Sequence, residues 1–270
     1  VYDKQIVQKC SQEHGCKLSY FGLPGALILD IISWKEHLRL FTATERDEDL
    51  LRHRLITSAF KHGIDDRLQL LSGDIDDVML HWKDCNGNAP SLPAYDVLNL
   101  DYEGGIVYKD LLGNSKRMSA IKKMIERQEK ERTGFLLFMT VNTRNRDYDE
   151  FDNVLKDIED QLLDYNIPAT DVVDWYENQG YAYKLKVYVP YVFDSIAATN
   201  RFIANYHAPV TYLGASSRRM VHFAVEMKYD ETRAGRSKSR SLISILDLPF
   251  KEIRKNKFVD IPVRTVGAIT

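Results

Sequence analysis

The sequence predicts an α/β fold: a doubly wound, mostly parallel sheet of seven strands that finishes in an antiparallel hairpin. Three observations carry this. Short β-branched or aromatic runs alternate with helical stretches through the first half of the chain, the pattern of a parallel sheet with helices packed on its faces. The most apolar run, 134–141 (GFLLFMTV), suits a strand covered on both sides. Two later apolar runs, 210–214 and 220–227, are joined by only 215–219 (ASSRR), a hairpin length that makes the pair antiparallel.

Each element follows from local pattern. Strands are expected at 18–21, 40–44, 68–71 and 95–100, each an apolar run bounded by turn residues or polar helical sequence. Helices are expected from Ala26 to about Leu38, from Asp47 to about His62, and from Arg117 to about Arg132. In the last, Met118, Ile121, Met124 and Ile125 mark one face and Lys122, Lys123, Arg127 and Lys130 the other. Beyond the fifth strand, 147–165 reads as an acidic amphipathic helix with Phe151, Val154, Leu155, Ile158 and Leu162 along one stripe, and 171–178 as a shorter one. The run 183–202 reads as a helix kinked at Pro190. Residues 1–230 form the predicted domain, with a helical insertion at about 147–205, and 231–270 a basic extension.

Composition narrows the classes of function. Apolar residues make up 44% and charged residues 28% of the 270, ordinary for a globular protein, and no run approaches the roughly 18 apolar residues of a membrane span. The N-terminal residues lack a basic and then apolar signal pattern, and three cysteines are too few for an export scaffold. The expected compartment is the cytoplasm. Cys10, His14, Cys16, His81 and Cys85 have the wrong spacing for a zinc site, so no metal is assigned. The net charge of −2 conceals an asymmetry: residues 201–270 carry 13 Lys/Arg against 6 Asp/Glu. Much of the excess sits in 233–240 (RAGRSKSR), a solvated loop or an arm that contacts phosphate.

Four motifs fall at predicted strand ends. Phe21-Gly22-Leu23-Pro24-Gly25 follows the first strand, Glu45 ends the second, Ser72-Gly73-Asp74 ends the third, and Asn99-Leu100-Asp101-Tyr102 ends the fourth. Glu45 lies 23 residues past Gly22, Asp74 lies 29 past Glu45, and Asp101 lies 27 past Asp74. Each interval is about one strand–helix–strand unit, which puts all four on one edge of the sheet. Each also has a plainer reading: the glycine turn as a surface turn, Glu45, Asp74 and Asp101 as caps of the turns or helices that follow.

Taken together the motifs resemble the class I S-adenosylmethionine-dependent methyltransferases, a Rossmann-like superfamily whose sheet ends in a reversed strand; the likeness covers about residues 17–228. It implies S-adenosylmethionine as cofactor. Phe21, Gly22, Pro24 and Gly25 would pass beside its methionine part and ribose, where a β-carbon finds no room. Glu45 would accept from the ribose diol, and Gly73 and Asp74 would meet the adenine. Asp101, Asn99 and Tyr102 would occupy the catalytic position, the first two holding an exocyclic amine and Tyr102 stacking on a base. This last element departs from that of the RNA-guanine enzymes, with Asn99 for the first acid and Tyr102 for the proline. Arg117, Arg144, Arg218 and Arg219 would meet phosphate. Three readings stay open: a nucleic-acid methyltransferase, one acting on a small molecule or protein, and a silent module that binds cofactor or a partner protein.

Overall fold

The computed structural model describes residues 2–25, 28–102, 104–106, 115–143, 180–214, 219–233, 245, 248–254 and 257–261. In chain order they form α1 (Tyr2–His14), β1 (Leu18–Gly22), α2 (Leu29–Trp34), β2 (Leu38–Glu45), a π-helical stretch (Leu50–Leu55) running into α3 (Ile56–Lys61), and a 3-10 turn (Asp65–Arg67). There follow β3 (Leu68–Ser72), α4 (Ile75–His81), β4 (Val97–Asp101), α5 (Lys116–Glu131), β5 (Phe135–Asn142) and α6 (Tyr181–Thr199). The chain continues through β6 (Phe202–Tyr206), β7 (Val210–Leu213), β8 (Arg219–Tyr229), β9 (Phe250–Arg254) and β10 (Lys257–Ile261).

These strands build one mixed sheet in the order β10-β9-β7-β8-β5-β4-β1-β2-β3, with β6 also on β8. The pairs from β3 through β5 are parallel. β8 runs antiparallel to β5, and both β6 and β7 run antiparallel to β8. Alternate residues of each central strand face opposite ways. On one side Leu18, Tyr20, Phe41, Val97, Leu136, Phe138 and Ala224 pack with Val7 of α1, Ile31 and Trp34 of α2, and Leu55 and Ala59. On the other, Phe21, Leu98, Leu100, Leu137, Met139 and Phe223 meet α4, α5 and α6. Burial on both faces is what the unbroken apolar runs signalled.

The differences from expectation have local causes. Helix α1 and strands β6, β9 and β10 are additional to the seven-strand reading. α2 is shorter than 26–38 because Ile28 is left-handed (φ 43°), a conformation a β-branched residue rarely adopts, and the chain turns at His37, whose N–H bonds to the Trp34 carbonyl. α6 runs unbroken through Pro190; the broad burial of its side chains offsets a helix penalty of about 3 kcal/mol. It ends where the Asn200 amide turns back to the Ile196 carbonyl (2.8 Å) and Arg201 adopts φ 58°, so Phe202 opens a strand. Pro209 lies between β6 and β7, which share β8 as partner. The helices expected at 147–165 and 171–178 lie outside the described residues.

Two polar contacts lock the sheet to its surroundings. Gln128 of α5 is wholly buried; its Oε1 accepts the Tyr95 N–H (2.9 Å) and its Nε2 donates to the Tyr95 carbonyl (2.6 Å). At the edge strand β3, Gln69 accepts from the Ser91 N–H and hydroxyl and donates to the Ala89 carbonyl. The same loop brings Asp84 to the Ser72 N–H and the Cys85 N–H to the Ser72 carbonyl. Gln128→Ala strands two buried backbone groups of Tyr95, and urea unfolding should show a loss of about 2–4 kcal/mol; a loss under about 0.5 kcal/mol would mean that the pair contributes nothing net.

Candidate functional site

Strand order reverses at β1, which has β2 on one side and β4 on the other. In an open α/β sheet such a switch point leaves a crevice beyond the carboxyl ends of the strands. The register places Gly22 beside both Ala43 and Asn99, Glu45 beside Ser72, and Asp101 beside Thr140. Gly73 donates its N–H to the Glu45 carbonyl (2.9 Å). Gly22, Glu45, Gly73, Asp74, Asn99 and Asp101 therefore share one rim of the sheet.

Within that rim the glycine turn differs in detail from expectation. A β-carbon on Gly22 would lie 2.1 Å from the Asn99 carbonyl oxygen, so the neighbouring strand itself requires glycine there. Phe21 has its ring buried against Trp82 and Tyr95 (centroids 5.7 and 5.4 Å), which makes it core. Pro24 is buried, while Gly25 is exposed, has φ +63° and borders open space. Glu45 Oε1 accepts the Asp47 N–H (2.9 Å), and Oε2 has no partner among the described residues. The helix-starting turn is capped instead by Asp47, which accepts from Asp49 and Leu50. Asp74 caps α4 by accepting the Asp76 N–H (2.8 Å), with Lys116 3.9 Å away.

At the end of β4 the three expected catalytic residues diverge. Asp101 is exposed. The Asn99 amide is buried and donates to Asp30 Oδ2 (2.6 Å) and to the Tyr20 hydroxyl (3.2 Å), so these donors are occupied within the protein. Tyr102 cannot stack on a base as expected: it is 2% exposed, its hydroxyl donates to Asp76 (2.9 Å), and the Arg117 guanidinium lies 3.8 Å over its ring. Arg117 also pairs with Asp76 (3.4 Å) and donates to the Gly105 carbonyl. It is therefore held inside rather than presented to phosphate. Arg219 pairs with Glu252 (3.1 Å); Arg144 and Arg218 lie outside the described residues.

Sequence reasoning missed two polar clusters. Tyr20 donates to Asp30 Oδ2 (2.7 Å), the oxygen that Asn99 also meets, while Oδ1 is buried without a partner among the described residues. Burial pushes the Asp30 carboxyl up to about 6, against the opposing hydrogen bonds from Tyr20, backbone N–H groups and Asn99. The second cluster joins His222 of β8, Thr140 of β5 and Asp3 of α1. Polar residues at alternate positions toward the carboxyl ends of β1, β4 and β5 were the available signal: Tyr20, Asn99, Asp101, Thr140 and Asn142 all sit on the face of α1 and α2. No group of three or more His, Cys, Asp or Glu converges as a metal set among the described residues. Cys10 is held as a thiol near 11, chiefly by burial and then by Glu226 and Asp96, which makes it a poor nucleophile.

Five parallel strands followed by an antiparallel strand pair match the arrangement that the sequence resemblance implied. The fold is a mostly parallel α/β sheet with an antiparallel end. No family model matches the chain, and no curated protein matches it. Among solved structures it is similar to the O-methyltransferase TomG of Streptomyces achromogenes, in complex with SAM, at 10% identity over 83% of this chain and 78% of that one (TM-score 0.44). It is also similar to a Bacillus cereus O-methyltransferase in complex with SAH, at 13% over 83% and 80% (TM-score 0.44). A third is a Pyrococcus horikoshii putative RNA methyltransferase, at 7% over 84% and 82% (TM-score 0.42). Likeness this remote assigns no substrate. No helix among the described residues is long and apolar enough to cross a membrane.

The Asp30 carboxyl gives a pH test. Its folded value of about 6 exceeds the unfolded value of about 3.9, so the folded state binds that proton more tightly. Its contribution to stability is full below about pH 4 and is lost as pH rises through about 6, on the order of 2–3 kcal/mol. Urea midpoints of wild type minus Asp30→Asn should show that slope; a flat difference would place the carboxyl in water.

Proposed function

We propose that this chain is an S-adenosylmethionine-dependent methyltransferase. The observation that carries the reading is the switch point at β1, where the glycine turn, Glu45 and Asp101 share one rim beside a crevice suited to a nucleoside. The residues present fit that cofactor. Gly25 has a positive φ and open space beside it, which lets backbone approach the methionine part. Glu45 Oε2 is available to accept from a ribose diol, and the Gly73-Asp74 turn, hydrogen-bonded to the Glu45 backbone, stands where an adenine would lie. When bound, the cofactor supplies an electrophilic methyl group. The chain's task is to align the acceptor in line with it and exclude water.

The nucleic-acid version of this reading rests on Arg144, Arg218, the basic run 233–240 and Arg219, which stays exposed beside Glu252, since Arg117 is engaged internally. One observation favours a second reading, the silent module. Of the element at the end of β4, the Asn99 amide and the Tyr102 ring are consumed by internal contacts, so Asp101 is the member of the three that is exposed.

Calorimetry with S-adenosylmethionine tests the cofactor assignment. Glu45→Ala should weaken binding by about 10- to 100-fold, the loss of a charge-assisted hydrogen bond; unchanged affinity would remove Glu45 from the site. Incubation with methyl-labelled cofactor and RNA, DNA, protein or small-molecule acceptors then identifies the substrate class. Tight binding with transfer to none of them would favour the silent module.

A further inference from the structure

Next to the glycine turn sits a carboxyl whose partners carry no charge. Asp30 lies in the first turn of α2. The residue as a whole is half-buried, but its Oδ1 is buried, and among the described residues no well-formed hydrogen bond reaches that atom. Oδ2 accepts from the Tyr20 hydroxyl (2.7 Å) and from the Asn99 amide (2.6 Å). Asn99 is also the residue on which the turn rests: its carbonyl accepts the Leu23 N–H (2.9 Å) and stands where a β-carbon on Gly22 would clash. One residue thus joins the Asp30 carboxyl to the backbone at Gly22 and Leu23.

Hydrogen-bond capacity fixes what this carboxyl can offer. Tyr20 donates to Oδ2 and accepts from the Asn99 amide (3.2 Å). Both lone pairs of Oδ2 are therefore taken, and the proton of the neutral acid sits on Oδ1. Burial first, then Asp30, holds the Tyr20 phenol well above its usual value, so Tyr20 remains a hydroxyl. The groups facing the carboxyl are Tyr20 from β1, Asn99 from β4 and the backbone N–H groups of Asp30 and Ile31 at the start of α2. From α1 the same core receives apolar Ile6 and Val7, and Asp101 acts on the Tyr20 phenol. Once ionised, Asp30 is a buried negative charge answered by dipoles alone.

Resting on the methyltransferase reading, we infer that Asp30 sets the specificity of the cofactor site: its buried carboxylate makes the site prefer S-adenosylmethionine, a sulfonium cation, to S-adenosylhomocysteine, the uncharged thioether left after transfer. The two ligands share their adenosine, ammonium and carboxylate groups, so those contacts cancel in the comparison and the charge on sulfur remains. In that reading the methionine part passes beside the turn that Asn99 joins to Asp30. Opposite unit charges on the order of 10 Å apart in a protein interior favour each other by about tenfold in affinity. A buried carboxylate is screened far less than an exposed one such as Asp101. Where Asp30 holds a proton, the arriving cation displaces it to solvent; where Asp30 is already ionised, the cation is attracted directly. Once the methyl group has left, the sulfur is neutral and the attraction ends. Asp30 takes no part in the transfer itself and acts through its charge.

Calorimetry on the full chain with both ligands tests this, because burial pushes the Asp30 carboxyl up to about 6, inside the measurable range. At pH 6, titrations in two buffers of different ionisation enthalpy count protons. Wild type should release about 0.4 proton per S-adenosylmethionine and under about 0.1 per S-adenosylhomocysteine. At pH 7 the ratio of the two affinities should fall by about tenfold in Asp30→Asn, which keeps the shape of the side chain and removes its charge. At pH 5, where most of the wild-type carboxyl is protonated, the ratios of the two proteins should agree within about twofold. The wild-type proton count stands whether or not the variant folds. A merely structural role for Asp30 would lower both affinities together and leave their ratio unchanged. Equal proton release with both ligands, or an unchanged ratio in Asp30→Asn at pH 7, overturns the inference and leaves the cofactor assignment standing. Wild type that binds neither ligand overturns the methyltransferase reading, and the inference with it.

Discussion

The close approach of β1 and β4 governs the rest of the structure. At Gly22 the two backbones lie so near that any side chain would meet the Asn99 carbonyl, and the same carbonyl accepts the Leu23 N–H (2.9 Å) as the chain leaves the strand. The exit path of the glycine turn is thereby fixed by β4 rather than by the turn's own residues. Because strand order reverses at this point, the two crossover connections diverge to opposite sides and the crevice between them opens. A displacement of either strand would close the crevice and misalign everything placed along it.

Polar side chains on the two faces brace this junction differently. Asn99 reaches one face, where Asp30 of α2 and Tyr20 of β1 receive it. Tyr102 reaches the other, where Asp76 of α4 and Arg117 of α5 enclose it. Each cluster holds at least one helix against the sheet just below the rim. A buried polar network is stabilising only when its members are satisfied, and among the described residues no well-formed hydrogen bond reaches Asp30 Oδ1. It carries its strain in a carboxyl that resists ionisation. The Asp76 cluster has a guanidinium to answer its charge, yet burial still leaves Asp76 raised above its ordinary value despite Arg117 and Tyr102.

The central sheet was legible because burial on two faces writes itself into the sequence as uninterrupted apolar runs. β1 to β5 and the β7–β8 hairpin lie where those runs lie, and the strand-end spacings found the rim. Function of individual side chains was far less legible. Tyr102 and Arg117 looked like surface chemistry because sequence cannot show that an aspartate on the preceding helix closes over both. Asp3 lies 219 residues from His222, so no local pattern could join them. β6 was hidden by α6, whose apolar character runs straight into the strand; the change of period depends on Asn200 and the positive φ of Arg201, an unlikely residue for that role. β9 and β10 were obscured by the basic composition of the region around them.

The loop over β3 has a consequence for the molecule as a neighbour among other molecules. An outermost strand offers unpaired backbone groups that another chain can zip onto. Here the last residue of β3 has its N–H and carbonyl taken by Asp84 and Cys85, and the Gln69 side chain ties the loop of Ala89 and Ser91 alongside, all from within the same polypeptide. Crowded solutions therefore gain little by cross-pairing along this margin, and the stretch after α4 acts as a selvedge that keeps the sheet from being extended by strangers.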